Sequence, residues 1–414
     1  MGLHIKRHKQ LLENILSLSV LQILNLVLPL ITLPYLMMVV GKSHYGAYAV
    51  AYSMVQYITL ISAYGFGFSV TKQISQQRDD ISTISRIFNS VLASKFFLAV
   101  VATIPFLFVS YFAFGAKYCF MLVLGLGIAL GDMLNPVWLY QGMENMKYMT
   151  LVNFICKLVS VVLVFIVIRE SSQYLYIILM DSVGHLVAGV ISLILAIKIF
   201  KIKLFRPRLN DIFFQLKDGW YIFWSTIFMT LYRSSNIFIL KFFVSDAMVG
   251  IYAGAEKVIK AGQVIASPIS TALFPNLAAR FKNHNITENK QTLLKTSLTM
   301  ACLVFVISVA IYIASPLIND LLLNGQNDGS VQMIRIMAPV IFFGCINYIL
   351  GIVGLINLGG QQKFFNAVMV SGIISIAFLL GTIHYWGNMS AALSMDLAEV
   401  SLFAICLYYL VKLK

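Results

Sequence analysis

Residues 198–217, KIFKIKLFRPRLNDIFFQLK, decide how the chain is read. The stretch sets Lys198, Lys201, Lys203, Arg206, Arg208 and Lys217 against a single acidic residue, Asp211. It is the longest basic, polar interruption in a chain that is otherwise mostly apolar, with about six apolar segments on either side. Lys and Arg beside membrane spans are retained on the cytoplasmic side. The stretch is therefore expected to be a cytoplasmic linker, residues 199–218, between two six-helix lobes, residues 1–198 and 219–414.

Composition agrees with that reading. The chain is 60% hydrophobic and 11% charged, where soluble domains carry about 25% charged residues. A helical span needs roughly 20 apolar residues. Twelve of them fill much of 414 residues and leave short loops with no room for an extramembrane domain. The net charge of +14 sits in loops between spans, which is a topological pattern and not a nucleic-acid surface. Cys119, Cys156, Cys302, Cys345 and Cys406 form no CxxC pair and mostly fall in apolar runs, so they read as small buried hydrophobes. The first apolar run is already span-length, so no cleavable signal peptide is expected.

Spans are expected near 14–38, 46–69, 88–112, 118–140, 149–169 and 173–198, then 219–244, 247–273, 294–316, 331–357, 365–386 and 388–411. This layout places twenty Lys and Arg on the inner side and five (Lys42, Lys117, Arg169, Lys241, Arg335) on the outer side, with both termini cytoplasmic. A repeat is legible. Tyr45-Gly46-Ala47-Tyr48-Ala49-Val50-Ala51 opens span 2, and Val249-Gly250-Ile251-Tyr252-Ala253-Gly254-Ala255 opens span 8. Residues 142–148 after span 4 are echoed by 360–365 after span 10. The expectation is an all-α integral membrane protein of about 12 transmembrane helices, in two lobes related by a parallel pseudo-two-fold repeat.

An ionisable side chain inside a span costs about 2.5–3.5 kcal/mol, so it needs a partner or a wet cavity. Lys95, Lys157, Arg233, Lys257 and Lys260 stand against Asp132, Asp181, Glu256, Asp396 and Glu399, so composition alone shows no net cationic cavity. At the helical rise, Lys157 lies roughly 12 Å inside span 5 and Lys257 roughly 15 Å inside span 8. Arg233 falls in the outer half of span 7. Glu256 and Lys260 are one turn apart and can neutralise each other. Lys157, Arg233 and Lys257 then either line a path for an anionic substrate or pair between helices with Asp132, Asp396 or Glu399. Lys95 is close enough to the inner edge of span 3 to snorkel, and substrate contact stays open for it. Asp181 and His185 share a face of span 6, as a proton relay or as a structural hydrogen bond. Gly127/Gly131 and Gly250/Gly254 have the spacing of close helix packing. The prolines in or near spans suit bent helices.

At Pro29 to Tyr48 (PLITLPYLMMVVGKSHYGAY), Tyr64-Gly65-Phe66 with Lys72, Pro136-Val137-Trp138-Leu139-Tyr140-Gln141-Gly142 with Glu144 and Lys147, and Val249 to Ala255 followed by Phe274-Pro275, the chain resembles the Wzx-type polysaccharide repeat-unit flippases. Their superfamily also holds multidrug exporters and the lipid II flippase. The resemblance runs nearly end to end. It implies transport of an undecaprenyl-diphosphate-linked O-antigen or other polysaccharide unit across the bacterial inner membrane, with a polymerase and a chain-length regulator as partners. It also implies basic residues at Lys157 and Arg233 in a cavity between lobes. Asn236 stands where many relatives carry an acidic residue.

On this reading Lys157, Arg233, Lys257 and Lys95 contact the diphosphate, and Asp132, Asp181, His185 and Asp396 are coupling candidates. A cation-coupled exporter of the same superfamily is the alternative, and those acidic groups keep it open. A membrane sugar-unit polymerase or ligase would want a large outer loop, and the longest outer segment is only about residues 316–331. No phosphate-binding glycine loop, HExxH motif or carboxylate pair in a loop is present, so no enzyme, cofactor or metal is expected.

Overall fold

The computed structural model describes residues 27–281, 286–325, 329–356, 358 and 360–412. Among the described residues there is no strand, and the fold is all helix. The helices are α1 (Val27–Val39), α2 (Gly41–Ala63), α3 (Phe66–Gln76), α4 (Ile81–Phe114), α5 (Ala116–Leu134), α6 (Val137–Gly142), α7 (Lys147–Val167) and α8 (Leu175–Ile199). Then come α9 (Leu209–Ser234), α10 (Asn236–Leu240), α11 (Asp246–Phe281), α12 (Ile286–Leu322), α13 (Ser330–Asn347), α14 (Gln361–Trp386) and α15 (Asn388–Lys412).

Among the described residues, eight helices are long and apolar enough to cross a membrane by length and composition. The spans predicted near 46–69, 219–244 and 247–273 also appear as helices. Of the span predicted near 14–38, the part from residue 27 is helical, while residues 14–26 lie outside the described residues. α2 is diluted by tyrosine, serine and glutamine, and α11 carries Glu256, Lys257 and Lys260. Large side chains such as Phe96, Phe97, Val100, Ile104 and Phe108 of α4 are exposed. Such a face suits a hydrocarbon solvent, which also requires backbone groups to be satisfied within each helix.

Several predicted spans are interrupted, each for a local reason. Predicted span 2 breaks at Tyr64 (φ 46°) and Gly65 (φ 78°), so α2 ends and α3 starts on a new axis. A side chain at Gly65 would press on Ile222, so the position needs glycine for both conformation and space. Predicted span 4 stops at Leu134 because Pro136 follows, and α6 adds one further turn. Predicted span 10 changes from α13 into a π-helix, Tyr348–Ile356, whose side chains are mostly buried. Span 7 begins earlier than expected: α9 starts at Leu209, inside the basic stretch. Ile212 and Leu216, one turn apart and half-buried, give that stretch a helical apolar face which the excess of charge obscures. α4 opens on Asp80, which accepts hydrogen bonds from the Thr83 amide at 3.1 Å and the Thr83 hydroxyl at 2.6 Å. These bonds hold the Asp80 carboxyl below the usual range.

The chain divides into two compact units. The first holds residues 47–227, and the second holds residues 29–46 with 228–414. In the first, α4 packs on α5, α5 on α8, and α8 on α7. In the second, α12 packs on α13, α13 on α15, and α15 on α14. The same order of pairing in both units is what a duplicated six-span element produces.

The α5–α8 crossing is backbone on backbone. A Cβ on Gly131 would overlap the carbonyl of His185, one on Gly189 would overlap the carbonyl of Gly131, and one on Gly127 would overlap the Ser182 hydroxyl. In the second unit a Cβ on Gly46 would overlap the Asp246 carbonyl, and one on Gly250 would overlap the Lys42 carbonyl. The two glycines that opened the sequence repeat thus meet in a reciprocal contact. Small residues let helices approach this closely where lipid gives no hydrophobic drive to associate.

Candidate functional site

The α5–α8 crossing also sets the floor of a polar cavity in the first unit, of about 240 Å³. Asp132 of α5, Asn153, Lys157 and Ser160 of α7, and Asp181 and His185 of α8 all line it. Four of the residues singled out from sequence, on three different helices, are therefore brought to one place. Lys157, Asp181 and Asp132 lie close enough to His185 to act on it electrostatically. Asp181 and His185 share a helical face, as their spacing required, with Gly184 leaving room against Ser160 of α7.

Asp181 is held from outside its own helix. The Tyr48 hydroxyl donates to Asp181 Oδ2 at 2.6 Å. Asn135 Nδ2 donates to Asn153 Oδ1 at 3.3 Å across the rim of the cavity. Sequence reasoning did not select Tyr48, Asn135, Asn153 or Ser160. The repeat carried a signal for Tyr48, because its counterpart Tyr252 is likewise turned onto a polar partner. Tyr48→Phe is expected to remove one bond to a charged acceptor, worth about 1.5–3 kcal/mol. The check is a lower thermal unfolding midpoint for the purified variant.

Lys95 does not snorkel. It is 4% exposed, and its Nζ donates to the backbone carbonyl of Asp132 at 2.8 Å. The cause is Pro136, four residues beyond Asp132, which has no N–H to give that carbonyl. Lys95 replaces the missing donor and places its charge beside the Asp132 carboxylate.

The second unit gathers a separate polar cluster. Glu256 and Lys260 pair at 3.0 Å, one turn apart as their spacing indicated. Asn236 Nδ2 donates to the Tyr252 hydroxyl at 2.9 Å and to the Ala391 carbonyl at 3.1 Å, so this residue binds α10 to α11 and α15. Asn347, at the end of α13 where the π-helix begins, donates to Glu399 Oε2 at 2.6 Å. Asp396 lies near Glu399, and its Oδ1 has no hydrogen-bond partner among the described residues. Lys257 stands over the Tyr45 ring at 5.2 Å, a cation–π contact. Lys257 and Asp396 belong to the second unit and are not among the side chains that line the first unit's cavity. The side chain of Arg233 lies outside the described residues, although its backbone belongs to α9. Among the described residues, no group of three or more His, Cys, Asp or Glu is placed to hold a metal ion.

The family motif after predicted span 4 also has a structural basis. Arg78 Nη2 pairs with Glu144 at 2.6 Å, and Arg78 Nε donates to the Gly142 carbonyl at 2.8 Å. Glu144 itself adopts φ 53°.

Known proteins resemble this chain over nearly its full length. Two proteins, each named "Putative O-antigen transporter", are similar to it. That of Escherichia coli (strain K12) is 25% identical over 403 residues, covering 96% of both chains. That of Shigella dysenteriae is 24% identical over 392 residues, covering 94% of this chain and 97% of its own. Among solved structures, lipid II flippase MurJ in an inward closed conformation superposes with a TM-score of 0.76 at 13% identity, covering 97% of this chain and 88% of its own. A MATE-family multidrug transporter in an inward-facing conformation gives 0.66 at 14% identity, covering 95% and 97%. These two likenesses establish the fold alone, an all-helical multi-pass architecture. The family model described as "Polysaccharide biosynthesis protein" matches residues 11–281, well over half of the sequence, and the chain belongs to that family.

Proposed function

We propose that this protein turns an undecaprenyl-diphosphate-linked oligosaccharide, an O-antigen or other polysaccharide unit, from the inner to the outer leaflet of the bacterial inner membrane. The observation that carries the reading is the gathering of Lys157, Asp132, Asp181 and His185 around one cavity, in a chain of the polysaccharide biosynthesis family. A diphosphate cannot enter hydrocarbon bare, so cations in a wet recess must stand in for its hydration. Lys157 is such a cation, and Asp132 and Asp181 line the same cavity. The lipid tail stays in the bilayer while the two lobes, about residues 1–198 and 219–414, expose the headgroup to either side in turn. Both termini face the cytoplasm on this reading, following the distribution of Lys and Arg. The protein is a transporter and not an enzyme, and it delivers its cargo to a polymerase and a chain-length regulator on the far side.

A second reading is favoured by the same cavity. Asp132, Asp181 and His185 are also what a cation-coupled exporter of small molecules would place there. One experiment separates the two. Cells that lack this protein but make the lipid-linked unit are assayed for the fraction of that unit reachable from the outer face. The flippase reading expects the fraction to rise when the wild-type gene is restored. An unchanged fraction, with drug or metabolite efflux restored instead, gives the exporter.

A further inference from the structure

The segment from Lys203 to Lys217 has a geometry that topology alone does not demand. A charge run that only orients a chain has no need of a fixed shape, yet this one is pinned. Asn89, 7% exposed, donates from Nδ2 to the Lys203 carbonyl at 2.8 Å and accepts from the Phe205 amide at Oδ1 at 3.2 Å. This two-way clamp mimics a strand pairing. The Ser85 hydroxyl accepts from the Lys203 amide at 3.1 Å. Arg86 grips Asp211 through Nε at 2.9 Å and Nη2 at 2.5 Å, so the only acidic side chain of residues 198–217 is occupied on the protein side. Gln73 then bonds Asp218 at 2.9 Å and exchanges bonds with Gln215.

These contacts use one side of the segment. The other side shows Leu204, Phe205, Leu209, Phe213 and Phe214, with Leu209 71% and Phe213 67% exposed. Leu209, Phe213, Trp220 and Trp224 follow one another at four, seven and four residues, so they form one stripe along α9 that runs on toward its apolar half. Lys203, Arg206, Arg208 and Lys217 are exposed among these side chains. Apolar side chains sunk to the acyl boundary with cations at headgroup level is the arrangement of an interfacial segment. Juxtamembrane cations beside such a segment attract anionic lipid.

We infer that Lys203–Lys217 is a binding site for anionic phospholipid headgroups of the leaflet on the cation-rich side. Leu209, Phe213 and Phe214 seat it in the acyl boundary, and Lys203, Arg206, Arg208 and Lys217 take the phosphates. Asn89 and Arg86 hold the segment in position. The inference does not depend on the identity of the transported substrate, and its test needs no transport.

The full-length protein is placed in nanodiscs of phosphatidylcholine containing increasing fractions of phosphatidylglycerol. Lipid retained on detergent extraction is counted by native mass spectrometry, and amide exchange is followed over residues 201–217. Phosphatidylglycerol is expected to be enriched, to protect the segment, and to be lost with rising salt. Each of Lys203→Gln, Arg206→Gln, Arg208→Gln and Lys217→Gln should weaken enrichment about fivefold. The salt titration of wild type stands even where a variant inserts poorly. Equal retention of both lipids, salt-independent retention, or undiminished enrichment in the four-fold variant would overturn the assignment. Protection conferred by a short-chain polyprenyl diphosphate and not by phosphatidylglycerol would overturn it as well.

Discussion

Gly131→Leu is expected to remove folded protein from the membrane fraction, whereas Gly381→Leu should leave its amount and unfolding midpoint nearly unchanged. Both glycines sit in long apolar helices, α5 and α14. Their surroundings differ. A Cβ on Gly131 runs into the His185 carbonyl and lies 2.6 Å from the Leu186 amide, while Gly381 has nothing within 4 Å. Backbone atoms cannot swing away as a side chain does, so α5 and α8 must part. Overpacking in a core with some freedom costs about 1–3 kcal/mol. Here the parting also undoes the contacts at Gly127 and Gly189 on the same seam, so the cost is expected at or above the top of that range. Exposed Gly381 should gain up to about 1 kcal/mol of helix propensity on substitution. The measurement is detergent-solubilised, monodisperse protein per cell, followed by thermal unfolding. Equal yields of the two variants would show that the crossing is looser than its geometry indicates. The stakes include the cavity, because Asp132 follows Gly131 directly and His185 is the residue the crossing presses on.

What the sequence made legible follows from how strongly lipid constrains a chain. Hydrocarbon enforces long apolar helices, so the spans, the basic segment and the repeat could be read from composition and spacing. Interruptions were harder to see. Tyr64-Gly65 and Asn135-Pro136 interrupt apolar runs that hydropathy reads as continuous, and the π-helix at Tyr348–Ile356 has no compositional mark. The start of α9 at Leu209 was hidden because charge dominates that stretch while only its Ile212 and Leu216 side face the protein. Among site residues, Glu256 with Lys260 could be paired because a helix fixes neighbours one turn apart. For Lys157, Asp132 could be offered only as one of several candidate neighbours and Asp181 not at all, because which groups share a cavity depends on which helices cross. Lys95 was misjudged for the same reason. Its partner is a backbone carbonyl orphaned by a proline on another helix, and neither residue announces the other.

Lys157→Met is expected to lower transport of the lipid-linked unit by at least about a hundredfold, and the reason can be separated from a folding defect. Lys157, Asp132, Asp181 and His185 are all half-buried, so removing one of them costs less than the roughly 3–5 kcal/mol of a fully buried pair, yet still leaves the remaining charges without their compensation. In this cavity Lys157→Met leaves Asp132 and Asp181 with His185 and no other Lys or Arg among the described lining residues, while nearby Lys95 has its Nζ committed to the Asp132 carbonyl. A lower amount of folded protein is therefore expected from the single variant, and activity must be normalised to it. Lys157→Met combined with Asp181→Asn removes one charge of each sign and should recover most of the lost stability. The two roles of Lys157 then predict opposite outcomes. A lysine that serves only to neutralise Asp181 would let the double variant transport almost as well as wild type once its fold is restored. A lysine that leaves its carboxylates to take up a diphosphate cannot be replaced in this way, so the double variant stays inactive although stable. The measurement pairs the unfolding midpoint of each purified variant with the fraction of lipid-linked unit reachable from the outer face in cells. Stability and transport recovering together would assign Lys157 to the ion network alone. Stability recovering without transport is the expected result, since a half-buried cation inside a span is costly to keep unless an anion passing through the membrane needs it.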